Sequence, residues 1–459
     1  MEGCAHGELD DIYTGLEYLQ RESGVRVDLL LCCGDFQSCR DLCDLHCCAL
    51  PEKYRTMNSF YKYYSGEKTA PVLTVFVGGN HEASNHLREL YYGGWVAPNI
   101  YFLGMSGMIR FRGLRIAGVS GIFKQHDHSL GLYEFPPYNP GSLRSAFHTR
   151  EYEIFKLSQI RSPVDIFLSH DWPTNIAFHG DRESLYRMKS FLRDEIERGE
   201  LGSPASEMLL HKLKPRFWFA AHHHCKFPAV VRHPTGTLTR FLALDKCLPH
   251  RNYLQVLSVS RTPEDEGGVR WVAGQDPDLQ FDPEWLAILR KTQPLMHTRK
   301  EVLHLPRMLH SNGPSFADFS PNVDEQAWVE ERMNSFEDGE FCPQGAIPHN
   351  FEVTVTPYNP QTPHDFGDRP RGAPISLDNP QTTKFCEFLD LPLTVLGRQT
   401  VSQIPITPVE VVVENPEEIN IDEWEQTENP GNPEEIDLDA TENLEEIDLA
   451  VSSATENPE

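Results

Sequence analysis

No stretch of this 459-residue chain approaches the roughly 18 uncharged apolar residues that a membrane span needs, so no transmembrane helix is expected. The N-terminal run Met1-Glu2-Gly3-Cys4-Ala5-His6 lacks both a basic n-region and an apolar h-region. Nothing there directs the chain into the secretory pathway, and the nucleus, with the cytosol as a further possibility, is the expected address. Basic residues are scarce as well: 41 Lys and Arg stand against 68 Asp and Glu, a net charge of −27. By itself that balance argues against a phosphate-rich partner. The scarcity is local, however. Glu410 to Glu459 contains 18 acidic residues and no Lys or Arg; without that segment 50 acidic residues face 41 basic ones, a net of −9. Eleven cysteines is an odd number, and Cys32 with Cys33 and Cys47 with Cys48 are adjacent. That pattern suits free thiols in a reducing compartment better than a disulfide framework.

What the chain does contain, up to about residue 260, is a series of short β-type runs separated by helical or loop stretches. The runs are Val27 to Cys33, Val72 to Val77, Leu114 to Val119, Val164 to Leu168, Phe217 to Ala220 and Leu254 to Val259. Several are apolar without alternation, as strands covered on both faces of a layered α/β sheet are. Polar groups follow them at once: Gly34-Asp35, Gly79-Asn80-His81-Glu82, Ser169-His170-Asp171, and His222 with His224. These gather at one edge of the sheet, where ligands of α/β folds bind. Residues 261–390 read as a smaller, irregular second domain with one helix near Pro283 to Lys291. Residues 391–459 repeat Asn-Pro-Glu-Glu-Ile loosely and carry too little apolar surface to fold, so a disordered acidic tail is expected.

Cys4 and His6, Asp35, Asn80 with His81, His170, and His222 with His224 are each unremarkable alone, since a Gly-Asp or Ser-His pair is an ordinary turn. As an ordered set they supply a carboxylate able to bridge two cations and imidazoles on either side. The order Cys-X-His, Gly-Asp, Gly-Asn-His-Glu, lone His, His-X-His resembles the calcineurin-type metallophosphoesterase superfamily. With Cys in place of its usual first Asp, it resembles the lariat debranching enzyme family in particular. Leu29 to Gln37, Tyr64 to Lys68, Gly78 to His86 and Phe167 to Pro173 carry the same likeness. The likeness runs from residue 3 to about 260, continues more weakly beyond, and does not reach the tail.

That resemblance implies a four-layer α/β/β/α sandwich over residues 1–260, followed by a C-terminal domain of the same family. It implies two divalent cation positions, one among Cys4, His6, Asp35 and His224 and the other among Asp35, Asn80, His170 and His222, with Asp35 shared. The thiol of Cys4 favours Fe2+, Zn2+ or Mn2+ over magnesium. His81, one residue after a ligand, is the candidate acid; the alternative is a structural partner of a nearby carboxylate. The implied reaction is hydrolysis of the 2′-5′ phosphodiester at the branch of excised intron lariat RNA, with no DNA and no membrane partner.

Residues 121–150 interleave aromatics and cations, as recognition of unstacked RNA bases requires, and resemble the family's lariat recognition loop. Lys124, Tyr133, Tyr138, Arg144 and His148 are its candidate substrate contacts; the alternative is a Pro-rich loop whose aromatics pack back on the body. The outer two of Ala221-His222-His223-His224 are expected to be ligands because residues two apart in an extended segment point the same way, leaving His223 facing away. Cys39, Cys43 and Cys47, spaced i, i+4, i+8, read as buried thiols along one helical face. Few β-forming residues precede Cys4 compared with the family, so either the chain starts further upstream or the Cys4–His6 arm is poorly held. Rival functions are a phosphoesterase for another ester and an inactive RNA-binding scaffold.

Overall fold

In the computed structural model, residues 1–259, 272, 278–310, 313–335, 345–363 and 377–396 are described. Met1–Gly397 form one compact unit; the second, Arg398–Glu459, lies outside the described residues, and of the tail expected to be disordered from 391 the residues 391–396 are instead ordered, Leu393–Leu396 forming a short helical turn with Val395 buried against the body. The first unit is built on two mixed sheets. The smaller has the order β1 (Leu29–Cys32), β2 (Leu73–Phe76), β4 (Ile100–Phe102), β3 (Gly94–Ala97). The larger contains β5 (Ser106–Phe111), β6 (Leu114–Val119), β7 (Ile166–Ser169), β8 (Phe217–Ala220), β9 (Phe227–Arg232), β10 (Leu238–Ala243) and β11 (Leu279–Phe281), in the order β11-β5-β6-β7-β8-β10-β9.

Strand alternation builds the layers. Leu30, Cys32, Phe76, Ile100 and Phe102 point outward onto Leu9, Ile12 and Leu16 of the helix Leu9–Ser23. Their neighbours Leu31, Val75, Val77, Tyr101 and Leu103 face inward, in one core with Ile109, Ile116 and Leu168 of the larger sheet. The helix Leu9–Ser23 carries Asp10 and Asp11 in its first turn and stops at Gly24, whose φ of 68° lets its N–H reach the Gln20 carbonyl. Helices Glu151–Ser158, Pro204–Leu213 and Pro283–Thr292 pack by the larger sheet, giving helix, sheet, sheet, helix. The last of these starts at the cap Asp282, which accepts from the Trp285 N–H and ion-pairs with Arg110 and Arg115.

Residues beyond 277 are sewn into this body. β11 adds to β5, the Trp95 indole donates to the Pro348 carbonyl, and the Arg88 guanidinium donates to the Val395 carbonyl. Five of the six expected strands form, with ends shifted by up to two residues. The sixth, Leu254 to Val259, does not: among the described residues Leu254 makes an isolated bridge to Glu2 and no ladder extends from it. That N-terminal arm is nonetheless held on both sides. The Glu2 N–H donates to Leu31 and the Gly3 N–H to Tyr253, while Cys33 and Gln255 donate back to Glu2 and Met1.

Candidate metal centre

The side chains singled out by motif converge where strand ends of both sheets meet. Asp35 lies three residues after β1 and Asn80 four after β2, both from the small sheet; His170 follows β7, and His222 and His224 follow β8, in the large one. Cys4 and His6 come from the N-terminal arm between them. Ligand-capable atoms of Cys4, His6, Asp35 and His224 lie within 4.8 Å of one another. On the other side of Asp35, His170 Nε2 is 3.4 Å from its Oδ1 and 3.1 Å from Asn80 Oδ1, and the His170 and His222 rings are 4.9 Å apart. Asp35 is thus common to both groups.

His6, Asp35, His222 and His224 have φ of 46°, 46°, 68° and 47°, a left-handed region that non-glycine residues seldom enter. Such strain persists only where surrounding structure imposes it, and it clusters at functional sites. It also corrects the extended segment expected at 222–224: this is a turn, and His224 joins the Cys4 group through its backbone twist. His223 is buried against the edge of Trp172, and neither of its ring nitrogens has a hydrogen-bond partner among the described residues. One of its ring nitrogens lies within 4.8 Å of ligand-type atoms of both Asp171 and His222.

Close approach demands glycine at two positions. A Cβ on Gly79 would sit 2.2 Å from Asp35 Oδ1, and one on Gly34, at φ 110°, 2.4 Å from His170 Nδ1. Glu82 then ties the two motif loops together. Its buried carboxylate accepts from the backbone N–H groups of Phe36 at 2.7 Å, Gln37 at 2.9 Å and Gly79 at 2.9 Å. Motif reading passed over it, although it is the one acid in Gly-Asn-His-Glu.

Electrostatics divide the donors cleanly. Burial pushes His6 down to about 4 and holds His222 and His224 well below the usual imidazole range, so all three are neutral near pH 7. Burial works against the charge of Asp35, yet His170, His81 and His6 hold its carboxyl well below the ordinary range. His170 is also opposed by burial but is carried upward by Asp35. Burial drives the Cys4 thiol well up, so a cation there must displace its proton. Neutral imidazoles, an ionised shared carboxylate, an amide oxygen and a thiol, all converging, fit two borderline divalent cations. Outer contacts orient them: His170 Nδ1 donates to the Cys33 carbonyl at 2.8 Å and the Gln37 amide lies 3.0 Å from His6 Nδ1.

His81 is half-buried beside this cluster. Its backbone N–H donates to Asp35 Oδ1 at 2.8 Å, and its ring is 5.8 Å from that of His6. Its Nδ1 lies 3.3 Å from the Ala49 carbonyl, which can only accept, so Nδ1 carries a proton and the exchangeable position is Nε2.

The 121–150 loop is anchored to this edge by Asp171, which accepts from the Phe123 N–H at 3.1 Å and whose pKa burial raises to about 6. Within the loop the candidates divide. His148 is buried, with Nδ1 2.6 Å from Asp127, and the Tyr133 ring lies 5.5 Å from the Arg150 guanidinium and 5.0 Å from the Lys300 ammonium, its hydroxyl 3.3 Å from Ser145. Tyr138 and Lys124 are half-buried and Arg144 is exposed.

The profile of the family described as calcineurin-like phosphoesterase matches residues 3–226, and that described as lariat debranching enzyme, C-terminal domain, matches residues 236–394. The chain is similar to the lariat debranching enzyme of Danio rerio, 50% identical over 85% of this chain and 65% of that protein. The Homo sapiens enzyme of that name is 48% identical over 85% and 68%, and the Arabidopsis thaliana one 41% identical over 93% and 96%. The chain spans about two thirds of the length of the vertebrate relatives it matches.

Proposed function

The chain belongs to the lariat debranching enzyme family, and from that premise we propose that it hydrolyses the 2′-5′ phosphodiester at the branch point of lariat RNA. The products are linear RNA bearing a 2′-hydroxyl at the former branch nucleotide and a 5′-phosphate on the released end. The observation that carries the reading is the convergence on Asp35 of two donor groups, one containing the thiol of Cys4, beside His81.

Cys4, His6, Asp35 and His224 would hold one cation and Asp35, Asn80, His170 and His222 the other, with Fe2+, Zn2+ or Mn2+ favoured by the thiol. Bound there, divalent cations supply positive charge against phosphoryl oxygens and acidify water. The chain's own groups do the rest. His81 presents a proton at Nε2 to the departing 2′-oxygen while Ala49 fixes the ring through Nδ1. Glu82 keeps the Asp35 and Asn80 loops at one spacing, so the donors need no rearrangement when substrate arrives.

The 121–150 loop, tied to the site through Asp171, supplies Lys124 and Arg144 for phosphates and Tyr138 for stacking, with Tyr133 and His148 shaping the loop from within. A nuclear location accords with a substrate released during splicing. The test is cleavage of a synthetic branched RNA against its linear counterpart by protein loaded with Mn2+, Zn2+ or Fe2+. Branch-selective release, reduced about a hundredfold or more in His81→Ala with cation content unchanged, is expected. Equal cleavage of linear esters would replace this reading with that of a general phosphoesterase.

A further inference from the structure

Four of the chain's cysteines fall within the ten residues Cys39 to Cys48, between the Asp35 loop and the helix that follows His81. The helical stripe expected of Cys39, Cys43 and Cys47 is not what forms. The helix here is only Leu42–His46, capped by Asp41, and the chain folds back so that Cys39 and Cys48 meet with their Sγ atoms 3.4 Å apart. Both thiols are buried, 1% and 0% exposed, among Leu45, Leu50, Met57, Tyr61 and Ala83.

We propose that Cys39 and Cys48 are a reversible oxidation site, closed to an intramolecular disulfide by a small peroxide, and that closing it shifts the support of His81. The first half rests on the sulfur–sulfur contact. The second rests on the reading of His81 given above.

Burial selects the oxidant. A bulky disulfide cannot reach thiols in an apolar cluster, whereas a peroxide is little larger than water and enters by local opening. The sulfur of one cysteine, as thiolate, attacks a peroxide oxygen; the O–O bond breaks, leaving a sulfenic acid and a hydroxide that takes up the thiol's proton as water. The second sulfur attacks the sulfenic sulfur, the S–O bond breaks, and the departing hydroxide leaves as a second water. Two thiols and one hydrogen peroxide thus give one disulfide and two waters. Hydrogen bonding to Cys39 and burial hold the Cys48 thiol well above its usual range, so the reaction is slow and its product persists until a dithiol reductant reverses it.

A disulfide brings the sulfurs to about 2.05 Å, closing roughly 1.4 Å of the present gap. Neither end of the segment moves freely. The Ser38 carbonyl faces His86 Nδ1 at 2.8 Å, and the Cys47 carbonyl accepts from the Ser84 N–H at 3.4 Å. The residue next to Cys48 is Ala49, whose carbonyl fixes His81 Nδ1. Contraction at Cys48 is therefore transmitted to the positioning of His81 through one peptide.

The experiment exposes zinc-loaded full chain to hydrogen peroxide, alkylates free thiols and digests with trypsin. Oxidised protein should yield Val27–Arg40 joined to Asp41–Lys53, about 2 Da lighter than the sum of the reduced peptides. The link should vanish in Cys39→Ala and Cys48→Ala and remain in Cys43→Ala and Cys47→Ala; Cys39→Val, which refills the apolar space, serves should the alanine impair folding. A link that survives in Cys39→Ala and Cys48→Ala, or thiols that stay reduced until urea unfolds the protein, overturns the site. This readout does not depend on any RNA. Turnover of branched RNA should fall about tenfold on oxidation and return with dithiothreitol, while Cys48→Ala keeps its turnover in peroxide. A formed disulfide with turnover unchanged overturns the coupling to His81.

Discussion

Removing the Glu82 carboxylate should cost more than any other single change at the motif loops, and the amount follows from its contacts. Oε1 accepts from the N–H groups of both Phe36 and Gly79, and Oε2 from that of Gln37. Burial raises the Glu82 pKa to about 7 against the three N–H donors that favour its charged form, so above that pH each hydrogen bond to the charged group contributes about 1.5–3 kcal/mol, and buried donors left without a partner forfeit that and their desolvation as well. Glu82→Ala orphans all three donors and leaves a cavity, so a loss of about 4–6 kcal/mol is expected, a large share of a typical domain's 5–15. Glu82→Gln has nearly the same shape. Its one remaining oxygen can serve Phe36 and Gly79, but its NH2 confronts the Gln37 N–H, for a loss of about 2 kcal/mol. Urea unfolding of cation-free protein measures both, and cation content after equilibrium with excess Mn2+ reports whether the Asp35 and Asn80 loops keep their spacing. An alanine variant within about 1 kcal/mol of the parent, or a glutamine variant as damaged as the alanine, would refute the clamp.

Three further outcomes follow from other sites. His223→Leu should stabilise the protein by about 1 kcal/mol in urea unfolding, because a buried imidazole with no partner among the described residues is replaced by an apolar chain of similar size; destabilisation would show that the ring has a partner. Gly79→Ala should weaken cation affinity at least about tenfold in a titration, or roughly 1.4 kcal/mol, since its methyl cannot share space with Asp35. Asp44 is buried against Arg40 and Asn85 at 2.6 Å each; burial opposes its charge but Arg40 holds its pKa well below the unfolded value. A depressed carboxyl stabilises the fold above the unfolded pKa and loses that contribution as pH falls toward the folded one. The melting temperature should therefore fall as pH drops below about 4, and Asp44→Asn should cost about 3 kcal/mol of unfolding free energy at pH 7 while flattening that acid limb.

How far the sequence revealed these features varied with what each depends on. The strand ends were legible because apolar runs stop at Gly34-Asp35 and Gly78-Gly79, so the polar residues that follow have to lie at a sheet edge. The twist at His222 and His224 was not legible, since histidine carries no signal for positive φ and the strain is imposed by tertiary contacts. Periodicity failed at Cys39 for a related reason: Asp41 caps a helix too short to carry an i, i+8 stripe. In the 121–150 loop, composition marks aromatics and cations alike, but only coordinates reveal that Asp127 already occupies His148 Nδ1. Leu254 to Val259 has strand composition, yet among the described residues it pairs only through an isolated bridge to Glu2, a tertiary outcome that no local pattern encodes.

The division of donors between the two sheets has a mechanical side. Asp35 and Asn80 ride on one sheet and His170, His222 and His224 on the other, so the gap across each group of donors follows the thickness of the apolar layer between the sheets, which includes Val75, Val77, Leu103, Ile109, Ile116 and Leu168. That layer acts as the spacer of a caliper. Side chains that belong to neither donor group tune the jaw opening, and the protein's interior, usually credited only with stability, becomes a determinant of the spacing at which the donors of the two sheets face one another.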